Sequence, residues 1–387
     1  MAIALPVSAF VTSAVLTAVV RHVSLRRGFV ARPAADRYHR TVVPLGGGLA
    51  IFWTIVLFAA GGLVLMKFVI GPGAWGWFDE SVTVHAEGFL RMAPHLLLVL
   101  GCGAVLHGLG LWDDRKRLGP YLKLAVQFAV AIAVARFADI RMEFFIPNKI
   151  VTTAASAVWI VLIVNMFNFL DNMDGLSAGI ALICTAVLFT AAALSGQLFV
   201  GALGLVFMGS LAGFLFFNFP PARIFMGDCG SLVVGYFLAI ITLRTTYYHE
   251  AHGSGLYAVG MPLIVMAVPL YDFMSVTFLR LRQGKSPFVG DTQHFSHRLK
   301  RRGLTDTQVA LTLYLATVCT GVSAVFLYQV DLAGALLILA QTAMILVMIA
   351  ILESTSQRSS DGNRKATGDT QDTELIKPRI DTNGHEL

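Results

Sequence analysis

Apolar runs of about twenty residues, cut by short polar segments, recur along this chain from one end to the other. A helix crossing the hydrocarbon core of a bilayer needs about 20 such residues. Eleven segments meet or approach that length: 3–20, 46–70, 92–110, 121–138, 151–168, 176–195, 197–217, 230–243, 257–280, 307–326 and 331–352. The eighth is the shortest. Leu194–Gln197 is a tight break between two long runs, so the sixth and seventh helices are predicted to pack as a hairpin. From Glu353 to Leu387 the chain turns polar, rich in Ser, Thr, Asp and Lys, which is the composition of a disordered tail. The pattern predicts an all-α polytopic integral membrane protein, with a multi-helix membrane domain over 1–352 and a tail over 353–387.

Composition agrees. Of the 387 residues 56% are hydrophobic and only 13% charged, against about 25% in soluble globular chains, and mean hydropathy is +0.71. A soluble protein is excluded. Met1–Val20 holds no Lys or Arg, whereas Arg21, Arg26 and Arg27 follow it. That order is the reverse of a secretory signal, so the first segment reads as a retained helix. The loops 21–45, 111–123, 218–229 and 280–302 carry 18 Lys or Arg, and the remaining positions before the tail carry six. The excess marks one side as cytoplasmic, which places the N-terminus outside and the tail inside. Cys102, Cys184, Cys229 and Cys319 show no paired spacing and read as small hydrophobes.

The polar residues collect on that same side. In LWDDRKRLGPYLK, Asp113 and Asp114 are adjacent, so on a helix they point about 100° apart and take separate roles. The plain alternative is a solvated loop paired with Arg115, Lys116 and Arg117. Lys123, one turn into the next apolar helix, either snorkels or meets a phosphate. In NMFNFLDNMDGL, Asn165, Asn168, Asp171 and Asp174 recur every third residue. They converge only if the helix ends near Asn168–Asn172, and Asp-Asn followed by Asp-Gly is turn chemistry. The plain alternative there is a helix–turn–helix with Asp174 as a cap. In FNFPPARIFMGDCGS, the prolines end one helix and small glycines allow close backbone approach before the next. Asp228 then stands at a helix start that favours anions, either as a simple cap or as a cation ligand beside a phosphate. The loop HFSHRLKRR sets His294 and His297 beside Arg298. It lacks a zinc-peptidase pattern and reads as an anion-binding or membrane-surface loop. Phe225, apolar at a polar edge, either packs or stacks on a base.

The segments RYHRTVVPLGG, WDDRKRLGPYLKLAVQ, NMFNFLDNMDGLSAG, FNFPPARIFMGDCGS and HFSHR occur in an order that resembles the polyprenyl-phosphate N-acetylhexosamine-1-phosphate transferases. The resemblance covers residues 37–302. It implies an Mg²⁺-dependent site (Mn²⁺ being the alternative ion) on the cytoplasmic face of a bacterial inner membrane. It implies transfer of a sugar-1-phosphate from a UDP-N-acetylhexosamine to undecaprenyl phosphate, releasing UMP, as the first membrane step of an envelope polysaccharide. Carried over motif by motif, Asp228 and Asn168 would hold the metal, and Asp113, Asp114 and Lys123 would act in catalysis. Asp171, Asp174, Asn218, Phe225, His294, His297 and Arg298 would bind the sugar nucleotide. The spaced HFSH is closer to the GlcNAc-1-phosphate branch than to the phospho-MurNAc-pentapeptide branch, which has adjacent histidines. No nucleic-acid partner is expected, and a homodimer is compatible with the family.

A phosphomonoester has its second pKa near 6, so a lipid phosphate is mostly dianionic at pH 7 and hardly needs a strong base. The difficulty is bringing it to an anionic diphosphate, which metal, Lys and Arg relieve. Direct in-line attack is therefore expected rather than a covalent aspartyl intermediate. The rival class is an ion-coupled secondary transporter, whose polar residues lie near the bilayer midplane.

Overall fold

The computed structural model describes residues 3–31, 42–70, 86–142, 147–247, 256–286 and 294–367, with side chains described as far as 352. Positions 37–41 of the RYHRTVVPLGG segment and 287–293 of the histidine loop lie outside the described residues. Two units divide the chain, Met1–Leu346 and Val347–Leu387.

Among the described residues the structure is helical apart from one antiparallel pair, β1 (Val30–Ala31) with β2 (Val43–Pro44). The helices are α1 (Ala4–Arg27), α2 (Gly47–Leu65), α3 (Ala86–Arg91), α4 (Ala93–Arg115), α5 (Pro120–Phe137), α6 (Lys149–Leu170), α7 (Leu176–Leu194) and α8 (Leu198–Asn218). They continue as α9 (Asp228–Arg244), α10 (Met261–Val265), α11 (Ala267–Arg282), α12 (Phe295–Lys300), α13 (Asp306–Val325) and α14 (Leu332–Thr367). Among the described residues nine helices are long and apolar enough to cross a membrane. The bent pair of Leu256–Val265 and Ala267–Arg282 adds one more broken span. The fold is that of an all-α polytopic membrane protein.

The short eighth segment proves to be the core. Every residue from Cys229 to Thr242 is buried, so α9 is apolar all round because it has no outer face. It packs against α2, α4, α6 and α7. A helix with neighbours on all sides needs no lipid-facing stripe, and 17 residues suffice. Glycine brings those neighbours close: a Cβ on Gly235 would stand 2.7 Å from the Val164 Cα.

Four features differ from the sequence reading, the first being that α1 runs on to Arg27 instead of ending at 20. The ninth helix is bent by 69° around Met266 instead of running straight. Pro269 has no N–H for the Val265 carbonyl, and its ring would clash with that carbonyl in a continuous helix. The Cys184 thiol meets the Val265 oxygen at 3.5 Å. The third helix runs on to Arg115, which puts Asp113 and Asp114 in its last turn rather than in the loop beyond it. In the second unit α14 continues as helix to Thr367 instead of ending at 352. Positions 368–387 of the expected tail lie outside the described residues.

Candidate active site

The C-terminal ends of α4, α6 and α8 and the N-terminal ends of α5, α7 and α9 meet at one end of the bundle. Asp113 and Asp114 part there as their helical spacing requires. Asp113 accepts the Leu118 amide on Oδ1 (2.6 Å), closing the α4–α5 turn, and Lys123 Nζ on Oδ2 (2.9 Å). The same Nζ donates to Asp228 Oδ2 at 3.1 Å. One ammonium thus holds two carboxylates from different helices. Their side chains retain 13% and 27% of their exposure, and Lys123 retains 23%, so the cluster is recessed yet open to one side.

Asp114 looks the other way. Its two oxygens accept the backbone amides of Asp228 (2.8 Å) and Cys229 (3.1 Å). It caps α9 from a neighbouring helix, satisfying donors that a helix start leaves orphaned. Asp114 thereby places the backbone of Asp228 at the start of α9. The close fit requires glycine. Gly227 has φ +75°, and a Cβ on it would come 2.6 Å from Asp114 Oδ2. On the other flanks, the Cβ positions of Gly110 and Gly48 would fall 2.4 Å from the Asp228 carbonyl and 2.2 Å from the Gly230 nitrogen.

The NMFNFLDNMDGL stretch breaks where its spacing demanded, with α6 ending at Leu170 and Asp171 as its C-cap. Asn168 Nδ2 donates to Asp228 Oδ1 (3.1 Å) and Ser231 Oγ (2.8 Å), joining α6 to the carboxylate cluster. As a metal ligand Asn168 would instead use its Oδ1. Asn165 lies deeper and pairs with Gln127 (2.6 Å), a bond between helices rather than part of the site. Burial holds the Asp171 carboxyl well above the usual carboxylate range, and the nearby carboxylates of Asp228, Asp114 and Asp174 push the same way.

Asp174 and Asn218 are struts. Asp174 accepts the Ala222 amide (2.8 Å). Asn218, 3% exposed, accepts the Gly175 amide (3.0 Å) and donates to the Ile224 carbonyl (2.9 Å). Both ends of the Asn218 amide are committed to backbone. It braces the α6–α7 turn against the α8–α9 loop. Tyr314 on α13 fixes the same turn by donating to the Gly175 carbonyl (2.5 Å). Phe225 is half-buried, its amide donating to the Pro44 carbonyl (2.8 Å) and its carbonyl accepting the Gly47 amide (2.9 Å).

The histidine loop docks on the same turn through Ser296 Oγ, which donates to Asn172 Oδ1 (2.7 Å). His294 and His297 are buried, with ring centroids 6.3 Å apart, and Arg298 donates to Ser275 Oγ (3.1 Å). Asp272 on α11 supports the loop, with His294 Nδ1 at 2.8 Å and the Phe295 amide at 2.9 Å. Sequence reasoning missed Asp272 and Tyr314. An acidic residue inside an apolar segment was the available signal for Asp272.

Burial, with the cations of Lys300 and Arg301 nearby, lowers the His297 imidazole to about 4, so it is neutral at pH 7. An unfolded histidine titrates near 6.5 and then binds more protons than the folded one. His297 therefore contributes stability that is complete above about pH 6.5 and lost as pH falls toward 4. Thermal melts of detergent-solubilised protein should show a lower Tm at pH 5 than at pH 7.5, and His297→Asn should flatten part of that slope. An unchanged slope in the variant would assign the effect elsewhere.

The donor set suits a hard divalent cation. Mg²⁺ is usually held by one or two carboxylates together with substrate phosphates, not by an all-protein cage. Asp113 and Asp228 already share one positive charge, and the Asn168 side chain adjoins them. Among the described residues no group of three or more His, Cys, Asp or Glu forms a closed metal cage.

Acidic and cationic groups gather at one end of an apolar bundle, and comparisons with known proteins give the class as a membrane-embedded transferase. Residues 96–246 match the glycosyl transferase family 4 profile. A Mycobacterium tuberculosis decaprenyl-phosphate N-acetylglucosaminephosphotransferase is 32% identical over 77% of this chain and 76% of its own length. A Bacillus subtilis protein named "Probable undecaprenyl-phosphate N-acetylglucosaminyl 1-phosphate transferase" is 29% identical over 82% of each chain. A Yersinia pestis undecaprenyl-phosphate alpha-N-acetylglucosaminyl 1-phosphate transferase is 27% identical over 79% of each. The chain belongs to glycosyl transferase family 4.

Proposed function

We propose that this protein transfers GlcNAc-1-phosphate from UDP-GlcNAc to undecaprenyl phosphate at the cytoplasmic face of a bacterial inner membrane. The observation that carries the reading is the Asp113–Lys123–Asp228–Asn168 cluster at one end of the bundle, in a chain whose relatives bear GlcNAc-1-phosphate transferase names. Those names weigh against a MurNAc-pentapeptide donor. A transporter would place its polar groups near the midplane, whereas these lie at helix ends.

In the reaction, an oxygen of the lipid phosphate attacks the phosphorus that bears the sugar. The bond from that phosphorus to UMP breaks, and the products are undecaprenyl-diphospho-GlcNAc and UMP. Lys123 sits where it can meet phosphate oxygens as a point charge, while Asp113 and Asp228 keep it in place. Asp113 already accepts two hydrogen bonds, Leu118 amide and Lys123, which suits a fixed orienting carboxylate better than a nucleophile. Arg298 supplies a second cation from the histidine loop. Asp113, Asp228 and the Asn168 oxygen would hold Mg²⁺, which when bound offsets the charge of the two phosphates brought together.

The test is purified protein with radiolabelled UDP-GlcNAc, undecaprenyl phosphate and Mg²⁺. A labelled lipid diphosphate and stoichiometric UMP are expected, with loss of turnover in EDTA, recovery on adding Mg²⁺ and no phosphoryl-enzyme on Asp113. Transfer from a MurNAc-pentapeptide donor alone would reassign the sugar. Flux into liposomes without lipid product would reassign the class.

A further inference from the structure

Asp272 stands apart from the carboxylates of the cluster. It is 1% exposed, on a helix that belongs to the broken ninth span. A carboxylate buried there needs strong partners, because an unpaired buried charge is costly. The partners named above come from the start of α12: the Phe295 amide on Oδ1 and His294 Nδ1 on Oδ2. The Asp272–His294 pair therefore joins the broken span to the histidine loop.

An ionised carboxylate only accepts hydrogen bonds, so the geometry puts the ring hydrogen of His294 on Nδ1. A histidine with one nitrogen engaged in this way presents the other to its ligand, in a tautomer set by the partner. In the neutral ring Nε2 is then the acceptor. The ring is also bounded edge-on by Phe169, 6.2 Å between centroids, and Phe169 directly follows the Asn168 that bonds Asp228. The ring thus stands beside the α6–α7 turn, which follows Asn168 and meets the histidine loop through Ser296.

We propose that Asp272 is a positioning residue for the transfer reaction: it fixes His294 as the Nδ1–H tautomer, so that Nε2 accepts a hydrogen bond from a hydroxyl of the sugar nucleotide. The identity of that ligand rests on the function proposed above, whereas the tautomer does not. Phosphate charge is met by Lys123 and Arg298, and the imidazole is left to read a hydroxyl.

Two measurements on the full-length protein test this. In ¹⁵N-histidine spectra, the resonance that disappears in His294→Gln should report a protonated Nδ1 and a bare Nε2 in the wild type, and the same form in Asp272→Glu. A wild-type ring protonated on Nε2 would overturn the proposal, whether or not UDP-GlcNAc is turned over. In kinetics, Asp272→Asn should lower kcat/KM for UDP-GlcNAc by roughly 10- to 100-fold, the scale seen when an outer partner of a functional histidine is lost. The KM for undecaprenyl phosphate should stay constant, and Asp272→Glu should recover part of the loss. Added to His294→Gln, Asp272→Asn should cost nothing more, because it acts through the missing ring. A full multiplicative loss in the double variant would reduce Asp272 to a packing role. Should Asp272→Asn fail to fold, the wild-type and Asp272→Glu spectra still decide. Wild-type protein inactive on UDP-GlcNAc would instead count against the proposed function.

Discussion

Lys123→Met should reduce kcat for lipid-linked product by about 10³-fold, the upper end of what losing one charge-stabilising donor costs. The methionine keeps the length and apolar stem of the side chain but removes the ammonium that bonds Asp113 (2.9 Å) and Asp228 (3.1 Å). Two carboxylates from different helices then face each other without a cation, and the phosphates lose a fixed positive charge. Stability should fall less than activity. Removing one partner of a fully buried ion pair costs about 3–5 kcal/mol, but this cluster keeps partial access to water, so about 1–2 kcal/mol is expected after screening. Lys123→Arg should rescue little, since a planar fork does not replace a point donor shared by two carboxylates. Transfer assays and thermal melts of the same preparations check both parts. An active Lys123→Met enzyme would remove Lys123 from the reaction.

Gly110→Ala should be nearly as damaging, through backbone alone. The added methyl would lie 2.4 Å from both the carbonyl carbon and the oxygen of Asp228, and 2.5 Å from the Cys229 nitrogen. Neither is a flexible side-chain end, so α9 must move away from α4. A shift of about 1 Å at a catalytic group can cost about 10²-fold in rate, and overpacking of this kind costs about 1–3 kcal/mol. The same displacement would pull the Asp228 amide from Asp114. Gly108→Ala is the matched control: it lies on the same helix with no atom within 4 Å of its added methyl. That variant should keep full activity and gain up to about 1 kcal/mol, the usual penalty of glycine in a helix. Equal losses in both variants would mean that the Gly110 contact is not what seats Asp228.

The sequence carried the plan of the site further than its wiring. Period and length located the membrane helices, and the third-residue spacing of Asn165, Asn168, Asp171 and Asp174 required α6 to end where Asp171 caps it. The adjacency of Asp113 and Asp114 required different partners, without saying which one caps α9 and which one holds Lys123. That choice depends on the rotation of α4 about its axis relative to α5 and α9. Asn218 shows the same limit. An asparagine at a helix end reads equally as ligand or brace, and only the positions of the Gly175 amide and the Ile224 carbonyl distinguish them.

By itself, then, the sequence determined an all-helical membrane chain and the residues from which its site is built, because hydrophobic length and helical period are local properties of the chain. The tertiary structure alone decided that Asp114 and Asn218 hold backbone and that Lys123 joins Asp113 to Asp228. It also decided that Asp272, unremarked in its apolar segment, orients His294. Each of those outcomes turns on a hydrogen bond or ion pair between segments distant along the chain, and its angle and distance are set only when α9 is enclosed by its neighbours.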